Sequence, residues 1–584
     1  MKIKLFIIAL LFIPVASFAA DSVTIGTLTL TPTFENVGVV CEYSDDDNSN
    51  MTAVVEYQAD GAGSWTTAHT PYIDRRSVVE HSGGTTANPK QYEIRTAVFE
   101  LSRNTTYNVR VTFTDTDGVS GTNPTSESAT TWSHDQRTYN GTTRTVCSSG
   151  CDDTSINDGI SAASTNDIIQ VKTGSYSGFT LSKSGIKIEA FDDNNMPSIT
   201  SNSSISGDNN EIDHLNFTGG DLTLSSGATY NVIRYSTFDD NGGDYAAIDL
   251  ETSGSIDGTL IEYNHIDMSG ESQGSEASTG IYFNGVNASS LGATVFRYNT
   301  FDGCWDAIGG SQNIQVNAGP GDNSDFYGNT INDADDDGFE IEGRVINIKV
   351  YNNIINDTSN DDMGLAPVSV GPIFIFNNVF NSTGGYSYKL GNGPSTGPIY
   401  TYYNTFRDAV NIMSLAGGSS TDNITAYCNI MDKAGTGQYV YDRVGDTTIQ
   451  SDYNLYYLPG GSYAKLDSTS TVSISQWRDY TNSNNDYGEQ DTNTFTGTIG
   501  WTDESGGNFT LQSNSEAIGA CGVTINGITK DITGGTRSAP YDIGAYEYEY
   551  DTGEAPANSI QGVSISELKV TDNLTAWNRT DGLR

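Results

Sequence analysis

The 584-residue sequence predicts an all-β protein in which a parallel β-helix follows an N-terminal β-sandwich. The β-helix is indicated by a phrase that recurs about every 25 residues, as in VYNNIIND at 350–357 and IFNNVFNS at 375–382. The sandwich is indicated by residues 21–133, where apolar and polar positions alternate between Gly, Asn and Asp turns. The repeats show no helical pattern, so we expect strands in both regions.

Residues 1–19 are predicted to be a secretory signal peptide. They begin with two lysines, continue with an apolar run and end at the small-x-small site Ser17–Ala19. No later stretch is apolar for long enough to cross a bilayer, so we expect an exported protein without a membrane span. Its expected location is the extracellular space, the cell surface or the periplasm.

The charge of the chain narrows the range of partners. It contains 28 Lys and Arg residues against 73 Asp and Glu residues, a formal net charge of −45 at pH 7. Nucleic acid and anionic membranes bind basic surfaces, so we expect neither as a partner. A polyanionic substrate would need local basic residues or a bridging cation such as Ca²⁺.

The six cysteines are too few to define the fold. Cys147 and Cys151, in VCSSGC, are the expected disulfide pair if the protein folds in an oxidising compartment. The other four lie far apart in sequence and are assigned no partners; they are Cys41, Cys304, Cys428 and Cys521.

Residues 20–133 resemble a fibronectin type III domain. The L-x-P-x-T-x-Y-x-V-x-V run of that family is matched by Leu101, Thr105, Tyr107, Val109 and Val111. The resemblance implies that the Tyr107 hydroxyl closes a corner between two strands. Arg103 replaces the usual proline, and because the usual tryptophan is missing we expect Val40 or Cys41 to fill its place in the core. In secreted enzymes such modules are mostly spacers and less often carbohydrate binders.

The recurring phrase places an asparagine two residues before an apolar residue. The asparagines are Asn264, Asn299, Asn329, Asn353, Asn378, Asn404, Asn429 and Asn454. Short strands at this period predict that each repeat is one coil of a parallel β-helix, stacked about 4.8 Å from the next. Because Asn tolerates the left-handed backbone conformation and its amide can bond to the same residue of the next coil, we expect a structural ladder without a catalytic role.

The repeats are flanked by segments that resemble the two ends of a known fold. A short helix near 156–163, followed by a strand, is expected to cap the front, and 509–522 with 542–548 are expected to close the back. Together with the repeats they resemble the pectate-lyase-like superfamily of right-handed parallel β-helices, which act on carbohydrates. The resemblance covers 134–548, and we predict a linker or tail at 549–584.

In this superfamily ligands lie on the outer face of one parallel sheet, beside loops that lengthen the repeat. The two long intervals, from Asn264 to Asn299 and from Asn299 to Asn329, therefore point to the coils between about 245 and 415. Phrases in register predict the inward side chains Ile248, Phe283, Ile308, Phe339, Ile341 and Leu390. Alternation then predicts the outward side chains Asp249, Tyr282, Asn284, Glu340, Glu342 and Lys389, with Asp306 beside them.

The segment NDADDDGFEIEG, at 332–343, is the most distinctive part of the predicted face. Its carboxylates are Asp335, Asp336, Asp337, Glu340 and Glu342. Crowded carboxylates raise one another's pKa, so one can act as an acid while another stays ionised, as glycoside hydrolysis requires. The same oxygens can bind Ca²⁺, with Asp335, Asp336 and Asp337 as ligands. A solvated acidic turn is the third interpretation, and the sequence does not separate the three.

Two branches of the superfamily bear on the chemistry. Asp336-Asp337 resembles the paired aspartates of polygalacturonases, but the Asn-Thr-Asp, Gly-His-Gly and Arg-Ile-Lys elements of that branch have no counterpart in this sequence. The lyase branch needs a basic residue, often with Ca²⁺, and Lys389, or less well Arg344 or Arg407, can supply it. The expected substrate contacts are Tyr282, Asn284, Trp305, Asp306 and Arg344.

The sequence therefore predicts a secreted, monomeric, polysaccharide-active protein with a groove along the β-helix. Hydrolysis by the catalytic carboxylates Asp336, Asp337, Glu340 and Glu342 ranks ahead of calcium-assisted β-elimination with Lys389 as the base. The alternatives are a carbohydrate-binding or adhesive protein without turnover and a structural module of a larger surface assembly.

Overall fold

The computed structural model describes residues 21–81, 84–133, 137–239, 246–251, 256–269, 278–284, 293–310, 320–391, 396–407, 410–415, 423–432, 439–442, 448–458, 462–465, 471–478 and 491–548. Within these ranges the chain is nearly all β, with two short helices, Ile156–Ala162 and Ile474–Arg478. Neither helix is long and apolar enough to cross a membrane. The predicted signal peptide and the predicted tail lie outside the described residues.

The N-terminal part forms two sheets around one apolar core, the predicted β-sandwich. In spatial order, one sheet contains Val119–Ser120, Val23–Pro32, Val37–Asp45, Glu93–Val98 and Tyr72–Asp74, and the other Thr125–Thr130, Thr106–Thr114, Thr52–Ala59 and Thr66–Thr67. A separate hairpin pairs Val78–His81 with Gly84–Ala87. Cys41, not Val40, is fully buried in the core, and the Tyr107 hydroxyl accepts a hydrogen bond of 3.0 Å from the Ser102 amide. The fibronectin type III assignment itself stays a prediction.

Among the described residues the repeats form a parallel β-helix with three sheets of 13 strands each, which confirms the predicted fold class. Solenoid sheet 1 contains Thr143–Val146, Ile168–Val171, Lys187–Ala190, Glu211–Asp213, Val232–Arg234, Leu260–Glu262, Val295–Arg297, Asp325–Tyr327, Ile348–Tyr351, Ile373–Phe376, Pro398–Tyr402, Asn423–Tyr427 and Thr448–Asp452. Solenoid sheet 2 contains Ser175–Tyr176, Ser198–Ile199, Asn216–Phe217, Thr237–Asp239, His265–Asp267, Thr300–Asp302, Thr330–Ile331, Ile354–Asn356, Val379–Asn381, Thr405–Arg407, Ile430–Asp432, Leu455–Tyr457 and Phe495–Thr496.

Solenoid sheet 3 completes each coil. It contains Thr180–Leu181, Ser203–Ile205, Leu222–Leu224, Ala246–Glu251, Thr279–Asn284, Ile308–Gly309, Asp337–Glu340, Asp361–Leu365, Tyr386–Leu390, Asn411–Leu415, Tyr439–Asp442, Ser462–Lys465 and Thr471–Val472. Its strands are parallel except for the last pair, which is antiparallel. A further hairpin joins Trp501–Asp503 to Asn508–Leu511.

Apolar side chains fill the inside of the solenoid. All six residues predicted to point inward on sheet 3 belong to this core and are at most 2% exposed; they are Ile248, Phe283, Ile308, Phe339, Ile341 and Leu390. Burial of this stack stabilises each coil only in contact with the next, because a single coil leaves both of its edges open. The predicted inward face of sheet 3 is therefore confirmed.

The recurring asparagines form the predicted ladder along the inside of one corner. Asn353 is typical: its Nδ2 donates to the Asn378 Oδ1 at 3.0 Å and to the Phe326 carbonyl at 2.9 Å, and its Oδ1 accepts from the Asn329 amide at 2.9 Å. The left-handed residue of the turn is the one before the ladder position, as at Asn352 with φ of 57°, and not the ladder asparagine itself. The repeated geometry of the corner therefore depends on two neighbouring positions. The first adopts the left-handed conformation, and the second carries the asparagine of the ladder.

The two ends of the solenoid are closed differently. The predicted front helix is present at Ile156–Ala162, with the Ser155 hydroxyl as its N-cap. At the other end Trp477 joins the core and stacks on Tyr441 with ring centroids 5.2 Å apart. The two C-terminal segments expected to close the back lie along the side of the last coils, where the Gly544 amide donates to the carbonyl of Cys428 at 2.9 Å.

Two disulfides are present among the described residues. Cys147–Cys151 is the predicted pair. Cys428–Cys521 is a second bond that the sequence analysis did not assign, and it ties a late coil to the C-terminal segment across 93 residues of sequence. Cys41 and Cys304 are free and buried.

The sandwich docks onto the outer face of solenoid sheet 1. Phe34 and Phe99 of the sandwich share one apolar cluster with Tyr327, Tyr351, Phe374, Phe376 and Tyr402 of that sheet. At its centre Asp325 Oδ2 accepts hydrogen bonds from the Thr33 hydroxyl at 2.5 Å and from Asn36 Nδ2 at 2.8 Å. Lys349 Nζ lies 2.8 Å from Asp325 Oδ1, and both side chains are fully buried. The sandwich therefore covers this part of sheet 1, whereas sheet 3 carries the outward residues singled out by the sequence.

Candidate active site

Two columns of outward residues run along solenoid sheet 3. The outer column takes one residue from each coil: Asp249, Tyr282, Gly309, Glu340, Gly364, Lys389, Ser414, Asp442 and Lys465. The acid column lies beside it, nearer the start of the same strands, and contains Asp306, Asp337, Asp361 and Tyr386. Glu340 and Lys389 are half-buried in the outer column, as the alternation predicts.

Glycine makes room on both sides of Glu340. In the outer column Gly309 precedes it and Gly364 follows it. A Cβ atom on Gly364 would lie only 2.4 Å from Asp337 Oδ2 and 3.2 Å from Glu342 Oε1. Because neighbouring strands are about 4.8 Å apart, Glu340 and Lys389 are separated at the backbone by about 9.6 Å. We call this gap, with Gly364 as its floor and Glu340 and Lys389 as its walls, the notch.

Hydrogen bonds fix the carboxyl groups around the notch. Asp306 Oδ1 accepts from the Asp337 amide at 3.0 Å, and Asp361 Oδ1 accepts from the Tyr386 amide at 3.2 Å. Glu340 Oε2 accepts from the Gly310 amide at 2.8 Å. Asp337 and Asp361 are neighbours on adjacent strands, and both carboxyl groups lie beside the Lys389 ammonium.

The environments of these carboxyl groups set their protonation. Burial raises the pKa of Glu340 to about 8, with a smaller contribution from Glu342. Burial also raises the pKa of Asp361, to about 6. The pKa values of Asp306 and Asp337 are raised well above the ordinary value, first by burial and then by neighbouring carboxylates. At neutral pH Glu340 is therefore mainly protonated, whereas Asp361, with a pKa of about 6, is mainly ionised.

Lys389 supplies the cation of the site. Its Nζ lies 3.3 Å from Asp337 Oδ2 and 3.7 Å from Asp361 Oδ2, and its side chain is 26% exposed. Burial alone would lower the pKa of the Lys389 ammonium, but the carboxylates of Asp337 and its neighbours outweigh burial and raise that pKa. The lysine is therefore held in its charged form.

Most of the other predicted site residues line the same region. Glu342 is buried and its Oε1 accepts from the Ala366 amide at 3.1 Å, so it forms one side of the notch. Tyr282 is 8% exposed in the outer column, two positions before Glu340. Trp305 directly precedes Asp306 and is half-buried. Asn284 ends its strand, and its side chain lies outside the described residues.

Arg344 lies away from the notch, contrary to the expectation that it contacts substrate there. Its guanidinium forms a two-point ion pair with Asp322, with distances of 3.0 Å and 2.5 Å. That pair is partly buried on the side of the solenoid that faces Lys90 and Glu93 of the sandwich. The difference arises because the chain turns a corner after Gly343, so alternation along the strand does not continue to residue 344.

The three aspartates predicted to bind Ca²⁺ do not converge on one point. Asp336 Oδ1 accepts a hydrogen bond of 2.5 Å from Asn360 Nδ2, whereas Asp337 faces the Lys389 ammonium. Among the described ranges there is no group of three or more His, Cys, Asp or Glu side chains arranged to hold a metal ion. Lys389 already supplies positive charge to this cluster. Calcium binding stays a prediction, and no step below depends on it.

Two components of the site were missed in the sequence. Asp361 lies 24 residues after Asp337, the same interval that separates the ladder residues Asn329 and Asn353, so the repeat would have paired the two aspartates. Gly364 follows Glu340 at the same interval. Glycine has no side chain and therefore gives no chemical signal in a sequence, although Gly364 forms the floor of the notch.

No family model and no curated protein matches the chain. Among solved structures, a family 28 exopolygalacturonase from Yersinia enterocolitica is similar at 10% identity and a TM-score of 0.32, over 76% of this chain and 98% of that chain. A similarity this low does not transfer an activity or a substrate.

Proposed function

We propose that the protein is an exported polysaccharide hydrolase with its reaction centre at the notch. The observation that carries the proposal is the grouping of Glu340, Asp337 and Asp361 around Gly364 and Lys389, with carboxyl pKa values that are raised to different extents. Glycoside hydrolysis uses these two components, an acid for the leaving oxygen and a carboxylate for the anomeric carbon or for water.

Each residue has a role that follows from its surroundings. Glu340 is the more exposed carboxyl and keeps its proton at neutral pH, so it is the general acid that protonates the glycosidic oxygen. Of the neighbouring pair Asp337 and Asp361, Asp361 has a pKa of about 6 and supplies the ionised carboxylate. Lys389 holds that pair in place and stabilises its charge at distances of 3.3 Å and 3.7 Å.

The charged state of Lys389 favours hydrolysis over β-elimination. A lyase needs a neutral amine to remove the proton next to the uronate carboxyl. The carboxylates around Lys389 raise the pKa of its ammonium, so little neutral amine is present near pH 7. We therefore assign Lys389 a positioning role.

A substrate panel tests this proposal. The purified mature protein is incubated with neutral and uronate-containing polysaccharides, with calcium and with chelator, and both reducing ends and ultraviolet absorbance of unsaturated uronates are followed. We expect reducing ends without that absorbance, in the presence of chelator as well. Unsaturated products would indicate a lyase, and loss of turnover with chelator would indicate a calcium site. Absence of turnover on every polymer would contradict catalysis.

Glu340→Gln is expected to reduce turnover of the best polysaccharide by about 10²–10⁴-fold, because the amide cannot donate the proton. On an aryl glycoside of the same sugar, whose leaving group needs no proton, the variant should retain far more activity. Asp357→Asn is the matched control: it neutralises an exposed aspartate in a left-handed position that asparagine also favours, and should leave turnover unchanged. Equal loss on both substrates would contradict the acid role.

The activity should depend on pH in a bell-shaped manner. It should rise as pH increases through about 6, where Asp361 ionises, and fall through about 8, where Glu340 loses its proton. The profile of kcat/KM reports the free enzyme and is the measurement to make. The residual kcat/KM of Glu340→Gln should no longer fall at alkaline pH. An unchanged fall in this variant would assign the alkaline pKa to another group.

A further inference from the structure

Basic residues are scarce along the coils that carry the notch. Between Tyr235 and Phe406 the sequence contains four Lys and Arg residues, namely Arg297, Arg344, Lys349 and Lys389. Because this count comes from the whole sequence, it includes every loop between those coils. A sugar chain lying across the notch therefore meets few cations from this part of the protein.

Three of the four basic residues are committed elsewhere. Arg297 pairs with Glu262 at 2.6 Å and stacks over Phe34 of the sandwich. Arg344 pairs with Asp322 at 2.5 Å, and Lys349 pairs with Asp325 at 2.8 Å. All three side chains are at most 8% exposed and lie toward the sandwich, so none is available to a ligand on sheet 3.

The fourth basic residue, Lys389, already forms ion pairs with carboxyl groups. Its ammonium contacts Asp337 and Asp361, and the carboxylate of Glu342 adds to the field that raises its pKa. Further along the outer column the next lysine, Lys465, lies 3.7 Å from Asp442. Each cation described on this face thus has a carboxylate beside it, and the carboxyl groups outnumber the cations.

We infer that the notch accepts a glycan without negative charge and rejects a uronate at the reacting sugar. A uronate carboxylate would enter a site whose one cation, Lys389, already contacts Asp337 and Asp361, and it would be repelled by the ionised Asp361 carboxylate and by the net charge of −45. A neutral sugar meets hydroxyl-binding carboxylates and the ammonium without that cost. This inference rests on the proposed function and specifies its substrate class.

The test compares one polymer in two charge states. The neutral polysaccharide with the highest turnover is oxidised at its C6 hydroxyls, which converts the same backbone to a polyuronate. We expect turnover to fall at least tenfold at low salt and to recover partly at high salt, because salt screens repulsion between exposed charges. Equal or higher turnover of the oxidised polymer, or activity confined to natural polyuronates, would overturn the inference while leaving hydrolysis intact. Silence on all polymers, neutral and anionic, would overturn the proposed function instead.

A variant with an added positive charge tests the inference directly. Tyr386 is half-buried and follows Asp361 in the acid column, so Tyr386→Arg adds a cation at the edge of the notch. This variant should raise the ratio of turnover on the oxidised polymer to turnover on the neutral one by about tenfold, whereas Tyr386→Gln, which removes the ring without adding charge, should leave the ratio unchanged. An equal ratio in both variants and in the wild type would overturn charge as the basis of selection.

Discussion

Gly364→Ala is expected to reduce turnover by about 10²-fold or more while the β-helix stays folded, since small displacements of reacting groups have effects of this size. The added methyl would lie 2.4 Å from Asp337 Oδ2, well inside van der Waals contact, so the carboxylate must shift from its position beside Lys389. The backbone at this position is not left-handed, so alanine fits its conformation. The measurement is kcat/KM together with the thermal unfolding temperature.

Ser204→Ala is the matched control for this substitution. Ser204 lies in the same outward column several coils before the notch and is half-buried. The change also alters the outer face by a single heavy atom, in this case the loss of an oxygen, far from the carboxylates. It should leave both turnover and unfolding temperature unchanged. Turnover of Gly364→Ala within twofold of the wild type would place the reaction centre outside the notch, whereas loss of activity with a large fall in unfolding temperature would indicate damage to the coil.

Lys349→Met is expected to destabilise the protein by about 3–5 kcal/mol, because it leaves the Asp325 carboxylate buried without its counter-ion. Asp325 is also the acceptor for Thr33 and Asn36, so the effect should weaken the docking of the sandwich as well as the coil. The shift of the chemical unfolding midpoint measures the loss, and limited proteolysis between the sandwich and the solenoid reports the docking.

The double variant Lys349→Met with Asp325→Asn separates the orphaned charge from the lost contacts. Asparagine at 325 still accepts from Thr33 through its carbonyl oxygen but carries no charge. The double variant should therefore recover at least half of the stability lost in the single variant. A single variant within about 1 kcal/mol of the wild type would mean that the Asp325 carboxyl takes up a proton or water at little cost.

The part of the site that depends on strand periodicity could be predicted from the sequence. Alternation placed Glu340 and Lys389 on the outer face because the side-chain period of a strand is two. The acidic segment also indicated Asp337 as a site residue, because glycoside hydrolysis needs carboxyl groups close together. Asp361 could have been predicted in the same way, because it lies one 24-residue coil after Asp337.

Features set by packing between distant segments could not be predicted in this way. The Cys428–Cys521 bond joins a coil to a segment that runs back along its side, and no sequence period relates them. Arg344 was misplaced because the corner after Gly343 redirects its side chain toward Asp322. The docking of Thr33 on Asp325 spans 292 residues, a separation at which local patterns carry no information.

That same docking has a consequence for how the protein is made. A nascent chain emerges with its N-terminus first, so the sandwich can complete its strands long before its partner surface exists. Phe34 and Phe99 belong to a cluster that also contains Tyr402, and His69 bonds to the Tyr402 hydroxyl across 333 residues of sequence. Until synthesis has passed that tyrosine, these aromatic rings face water, and the growing molecule presents an adhesive apolar surface to its neighbours. Each coil can stack as it appears, but the final closure of sandwich on solenoid is a slow, late event of high contact order.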